Sequence, residues 1–281
     1  MTPPPLVSVI CLCYNHARFV QEAIQSVVNQ SYSNIQLILV DDASTDNSVA
    51  VIREIIRNRS VEFISLQMNV GNCQAFNRGL SVAKGEFIID LAADDVLLPD
   101  RVEVGVRALQ RAGAAYGVHF SDAELISESG EHLSFHSDRF PHASIPQGEI
   151  YKDLINRYFI CPPTLMCTRE VMNDLNGYDE SLTYEDFDFL IRSSRKYKYV
   201  YSPAVLVKRR ITADAMSKMQ FRLFSKHSHS TYRVCEKIQE LNKTSEERRA
   251  LRSRIQYEAT LNLRLLNLRI VAKYFLLWFR V

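Results

Sequence analysis

Three groups of carboxylates are spaced along the chain in a way that invites chemistry. They are Asp41-Asp42 in LVDDASTDNS, Asp94-Asp95 in GEFIIDLAADDVLLPD, and Glu185-Asp186 with Asp188 in NGYDESLTYEDFDFLIR. Adjacent anions repel, so a protein that places them together usually needs them for something. At Asp94-Asp95 the fitting partner is a divalent cation. Magnesium or manganese takes one or two protein carboxylates and completes its shell with water and phosphate oxygens. A diphosphate beside such a cation leaves readily, because the charge developing on it is neutralised. In the third group one carboxylate can act as general base toward a substrate hydroxyl, or the acids can complement the positive end of a helix. The spacing leaves both open. Asp41-Asp42 reads equally as a loop that caps the next helix.

Strands and helices must bring these residues together. LVSVICLC reads as a strand, and YNHARFVQEAIQSVVNQ as a helix with Phe19, Val20, Ala23, Ile24, Val27 and Val28 at helical spacing. IQLILVDD is a second strand, followed by a helix over STDNSVAVIREIIRN with Ser44 or Thr45 as N-cap. VEFISL is a third strand, NCQAFNRGLSVAK a third helix ending near Gly85, and GEFIIDLA a fourth strand. Pro99 and Asp100 then open another helix. This alternation predicts right-handed crossovers and a mostly parallel sheet with helices on both faces, an α/β fold. Ligands of such sheets bind beyond the carboxyl ends of the strands, where Tyr14-Asn15, Asp41-Asp42 and Asp94-Asp95 all fall.

From about residue 114 to 207 the pattern loosens. AAYGVHFSDAELI and KYKYVYSPAVLV read as further strands, with a polar surface excursion around 127–148. After about Asp214 the chain reads as helical. The stretch from Glu246 to Val281 interleaves arginines with leucines and aromatics and contains no glycine or proline. The domains expected are a catalytic unit over 1–210, with parts at about 1–113 and 114–210, and a helical extension over 211–281.

The bulk numbers bound the function. A chain of 281 residues with 47% hydrophobic residues is an ordinary globular protein, and a net charge of +2 gives no argument for nucleic acid. MTPPPLVSVI has no basic segment before its apolar run, which reads against a signal peptide. No apolar stretch is long enough to span a membrane. Six scattered cysteines read as reduced apolar fillers of a cytoplasmic protein. CYNHARF, after the first strand, has no glycine. That argues against a sugar nucleotidyltransferase with a glycine-rich phosphate loop and against a dinucleotide-binding oxidoreductase.

VSVICLCYN, LVDDASTDNS, NVGNCQAFNRGLSVAKGEFI, LAADD and YEDFDFLIR, in that order over about 6–210, resemble family 2 glycosyltransferases. The resemblance implies a GT-A fold and an inverting, metal-dependent hexosyltransferase-type enzyme. The donor would be a nucleotide sugar, with a UDP-sugar favoured. The acceptor would be a glycan or lipid-linked glycan in polysaccharide, O-antigen or other cell-surface glycan synthesis. Carried over position by position, it implies that Asp94 holds Mg2+ or Mn2+. Tyr14, Asn15, Asp41, Asp42, Asn77, Asp95 and Arg210 would line the donor pocket. Asp186, with Glu185 beside it, would supply the catalytic base. Two departures stand out: Ala92 replaces the carboxylate usual two residues before the metal aspartate, and Thr212 replaces a histidine downstream of Arg210. Ala92 keeps open an alternative, a catalytically silent nucleotide-sugar-binding module. The C-terminal helices could pack on the catalytic domain with their basic residues in solvent, dock peripherally on the cytoplasmic membrane face, or pair two copies.

Overall fold

The computed structural model describes residues 3–140, 144–212 and 226–281, without the side chain of Lys226. The beginning of the helical region near Asp214 lies outside the described residues. Strands β1 (Val7–Cys13), β2 (Ile35–Asp41), β3 (Glu62–Ser65) and β4 (Phe87–Ala92) lie parallel in the order β3-β2-β1-β4. Helices α1 (Val20–Val28), α2 (Ser48–Ile56) and α3 (Asn72–Val82) connect them. Because β1 has β2 on one side and β4 on the other, a crevice opens beyond its carboxyl end. The loops after β1, β2 and β4 border that crevice.

The alternation of side chains along β1 explains the two layers. Val7, Val9, Cys11 and Cys13 pack with α1, α2 and α4 (Arg101–Ala112), whereas Ile10 and Leu12 face the opposite core. On that second side lie α3, α5 (Tyr151–Asn156) and α7 (Asp186–Ser194). The same cluster takes in Tyr232, Cys235 and Ile238 of α8 (Lys226–Leu241), Leu251 and Ile255 of α9 (Ser245–Arg264), and Tyr274 and Leu277 of α10 (Leu268–Arg280). All six cysteines are buried and unpaired.

Beyond β4 the sheet is more mixed than the alternation predicts. It continues β8 (Met166–Thr168), β6 (Tyr116–Ile126), β9 (Lys198–Arg210), β5 (Val96–Leu97), with β7 (His132–Phe135) alongside β6. The pair β6–β9 is parallel, while β8 runs antiparallel to both its neighbours and β5 antiparallel to β9. Strands of two or three residues carry too little periodicity to be read from sequence. A short helix, α6 (Arg169–Leu175), leads from β8 toward α7.

One local expectation changes. Helix α2 starts at Ser48, with no side-chain cap at Asn47. The Ser44 hydroxyl goes to Asp41 instead, and the Thr45 and Asp46 amides donate to Asn15 Oδ1. In the tail, Leu266, at φ +56°, turns the chain between α9 and α10.

Candidate active site

The first wall of the crevice is built from backbone pinned by side chains. Asn15 sits in the left-handed region (φ +58°), and its amide oxygen accepts from Thr45 N at 2.7 Å. Asp41 is fully buried and takes Ser44 N at 3.0 Å and Ser44 Oγ at 2.5 Å. Asp42 accepts from Val70 N at 2.7 Å and Gly71 N at 2.9 Å, which fixes the turn into α3. Gly71 has φ +87°, a conformation that favours glycine. The Asp41-Asp42 carboxylates therefore hold the loops in shape, whichever other partner they meet. Tyr14 is 45% exposed at the mouth, a flat ring open to a planar ligand.

The adjacent acids after β4 have different surroundings. Asp95 turns inward and accepts Arg210 N at 2.8 Å. Burial and the charge of Asp94 push its carboxyl well above the usual range, while Arg209 and Arg210 work against that rise. Arg210 is itself buried, and it does not reach out as a free donor-binding cation. Its guanidinium donates to Asp94 O at 3.0 Å, to the carbonyls of Ser127 and Glu128, and to Glu22 at 2.5 Å. Its charge lies 4.8 Å from the centre of the Phe19 ring. Arg210 thus ties the Asp94-Asp95 turn to α1 and the excursion after β6.

Asp94 keeps its carboxylate toward the crevice, with the side chain 16% exposed and Oδ2 3.9 Å from His16 Nε2. The other ring nitrogen of His16 is buried without a partner. Among the described residues no group of three or more His, Cys, Asp or Glu side chains gathers as a complete metal cage. One outward carboxylate beside an imidazole fits a cation that completes its shell with substrate oxygens, the habit of magnesium and manganese. A closed structural site is not what these residues build.

Across the crevice, α7 begins with Glu185 at its N-cap position and Asp186 in its first turn. Asn72 Nδ2 donates to Glu185 Oε2 at 2.5 Å. Burial, the charges of Asp186 and Asp90, and a hydrogen bond to Asp186 push the Glu185 carboxyl well above its ordinary value. Asp186 is also raised by burial, but Glu185, Arg209 and Tyr158 stabilise its anion. The two carboxyls are thus raised together, and Arg209 and Tyr158 favour the anion on the Asp186 side.

Asp90 lies on β4, on the same face as Ala92, and accepts from Tyr178 OH at 3.1 Å. Burial and Asp186 push its carboxyl up to about 7, against the Tyr178 bond. The folded protein therefore holds a proton there between the ordinary aspartate value of 3.8 and about 7, where the unfolded chain does not. Binding more protons in the folded state means that stability falls as pH rises through this window. Asp90→Asn should flatten that part of the profile and raise stability above about pH 7 by roughly 1–4 kcal/mol. Melting temperature against pH is the readout. A variant with the parent's slope would refute the raised carboxyl at Asp90.

Asn77 supports this wall rather than opening onto the crevice. Its amide donates to Tyr178 O and Glu180 Oε1, each at 2.9 Å, and accepts from Tyr178 N at 2.9 Å. Gly177, at φ +72°, lets the loop approach this closely, since a Cβ there would lie 2.4 Å from Asn77 Oδ1. The structure adds one side chain that motif reading missed. Arg209 is largely buried among Cys161, Asp95, Asp186 and Tyr158, whose interactions outweigh the burial that disfavours its charge. It is the cation that joins the two acidic walls. Its only sequence signal was its place beside Arg210 on a strand, where alternate residues face opposite ways.

Comparison with known proteins places this geometry. A family model described as glycosyl transferase family 2 matches residues 8–175. TuaG of Bacillus subtilis, whose name assigns it provisionally to teichuronic acid biosynthesis as a glycosyltransferase, is 29% identical over 167 residues. That match covers 59% of this chain and 63% of TuaG. The chain spans only 35% and 40% of two other curated relatives, both uncharacterised glycosyltransferases from Rickettsia felis and Haemophilus influenzae. In fold it resembles residues 1–349 of S. aureus TarS in complex with UDP-GlcNAc, with TM-score 0.67 and 16% identity, covering 89% of this chain and 71% of that one. It also resembles the mannosyltransferase PcManGT of Pyrobaculum calidifontis in complex with GDP-Man and Mn2+. There the TM-score is 0.67 and the identity 16%, covering 98% of this chain and 74% of that one.

Proposed function

The chain belongs to glycosyl transferase family 2, and from that premise we propose that it moves a sugar from a nucleotide-diphosphate donor to an acceptor hydroxyl with inversion. The observation that supports the reading is Arg209, whose charge interacts both with Asp95, next to the outward Asp94, and with Asp186 of the Glu185-Asp186 pair. Asp186 takes the proton of the acceptor hydroxyl as its oxygen bonds to the anomeric carbon. The bond from that carbon to the diphosphate breaks on the opposite face, and the electron pair leaves with the phosphate oxygen. Attack opposite the leaving group inverts the centre. Asp94, with His16 beside it, would hold Mg2+ or Mn2+, which when bound supplies positive charge to the departing diphosphate.

Tyr14 offers a face for the base, and Arg209 balances charge between the two acidic walls. A UDP-sugar is the donor we favour, in line with the UDP-GlcNAc complex of TarS, although the PcManGT complex holds GDP-Man. The acceptor class is a glycan or lipid-linked glycan of the cell surface, a reading that the name of TuaG supports. The location proposed is the cytoplasmic side of the membrane.

Product formation across UDP-, GDP- and dTDP-sugars with Mg2+ or Mn2+ tests the reading, and turnover of a UDP-sugar is the expected result. Ala92 favours a second reading, a binding module without turnover. Tight UDP-sugar binding with neither hydrolysis nor transfer on any acceptor would decide for it. Asp94→Ala should remove the cation dependence of UDP binding. The expected loss is at least the roughly 10–100-fold that an outer partner alone can be worth to a metal site. Calorimetry with Mg2+ and with chelator checks it, and unchanged cation dependence would remove Asp94 from this role.

A further inference from the structure

Among the described residues, nothing covers one side of helix α10. Ile270, Tyr274 and Leu277 are buried against the rest of the chain. Leu268, Phe275, Leu276 and Phe279 are 59–64% exposed, an unusual concentration of large apolar side chains on one helix. At about 100° per residue these four and Ala272 fall within an arc of roughly 100°. Arg269, Lys273 and Arg280 occupy the next arc of about 40°, between the apolar face and the buried one. No acidic residue occurs from 259 to 281.

We infer that this face of α10 is a docking surface for an anionic lipid bilayer, lying in the plane of the headgroups. The apolar arc would enter the acyl boundary, and the cationic edge would meet lipid phosphates at its margin. The charge pattern selects this occupant over a second copy of the chain. Two such faces brought together would align cationic edges with no carboxylate on either α10 to receive them. No helix among the described residues is long and apolar enough to cross a membrane, so the contact proposed is interfacial. It stands independently of the transfer reaction, because binding to vesicles is read without turnover.

The test uses the full chain and flotation with phosphatidylcholine vesicles, with or without phosphatidylglycerol. Binding should need the anionic lipid and weaken with salt. Phe275→Ser with Phe279→Ser should lower it at least about tenfold, since both rings are large and exposed in the free protein. Arg269→Gln and Arg280→Gln should each cost roughly fivefold on anionic vesicles. Lys273 is left unchanged because its ammonium also lies 5.3 Å from the Tyr232 ring centre. Circular dichroism and melting temperature should match the parent in every variant. Three results would overturn the inference. These are no vesicle binding at low salt, equal binding to neutral and anionic vesicles, or a sedimenting dimer that the Phe275/Phe279 variant abolishes while vesicle binding is unaffected.

Discussion

Asp186→Asn is expected to lower sugar transfer by roughly 10²–10⁴-fold while donor affinity changes little. The side chain keeps its size and its hydrogen-bonding oxygen, so what disappears is the capacity to take a proton. Glu185 is the internal control. Glutamine there can still donate to Asp186 and meet Asn72, so Glu185→Gln should cost far less. Turnover on a UDP-sugar and its acceptor, with donor affinity measured separately, gives the comparison. Equal losses in the two variants would mean that the pair acts as one unit. Near-normal turnover of Asp186→Asn at neutral pH would place the base elsewhere.

The largest stability effect should come from Asp188, in the first turn of the same helix. Its carboxylate is 1% exposed and bonds Arg192 Nε and Lys237 Nζ, each at 2.6 Å. Through Lys237 it fastens α8 to α7, and Lys237 also reaches Asp179 at 2.5 Å. Breaking a buried pair typically costs 3–5 kcal/mol because the remaining charge is stranded. Here Arg192 retains the carbonyls of Leu175 and Gly177, and Lys237 retains Asp179. About 2–4 kcal/mol is therefore expected for Asp188→Ala, or roughly 4–8 °C in melting temperature. A shift below about 1 °C would show that the network adds nothing beyond packing.

The parallel half of the sheet was legible because β1, β2 and β4 are long and apolar and the strands are separated by helices of clear period. The carboxylate clusters fell at strand ends for the same reason. What the sequence concealed is who satisfies whom. Asp42 and Asn77 belong to recognisable motifs, yet they bond backbone that is distant in sequence, whereas Asp41 bonds Ser44 three residues on. Arg210 matched a motif and is enclosed, whereas Arg209, which matched none, stands between the acids. Burial and orientation of neighbouring residues depend on packing between elements, and local spacing does not encode that.

The pairing of β6 with β9 and the packing of α8 to α10 on α7 also bear on how the chain acquires its shape during synthesis. Strands β1 to β4 join through neighbouring crossovers, so that layer can organise from contiguous chain. Helix α7 belongs to a core that draws in partners as far along as Leu277. Distant pairings close large loops before they gain any contact energy, which slows assembly. The layer of β1 to β4 can therefore take form on the ribosome before the packing around α7 is complete.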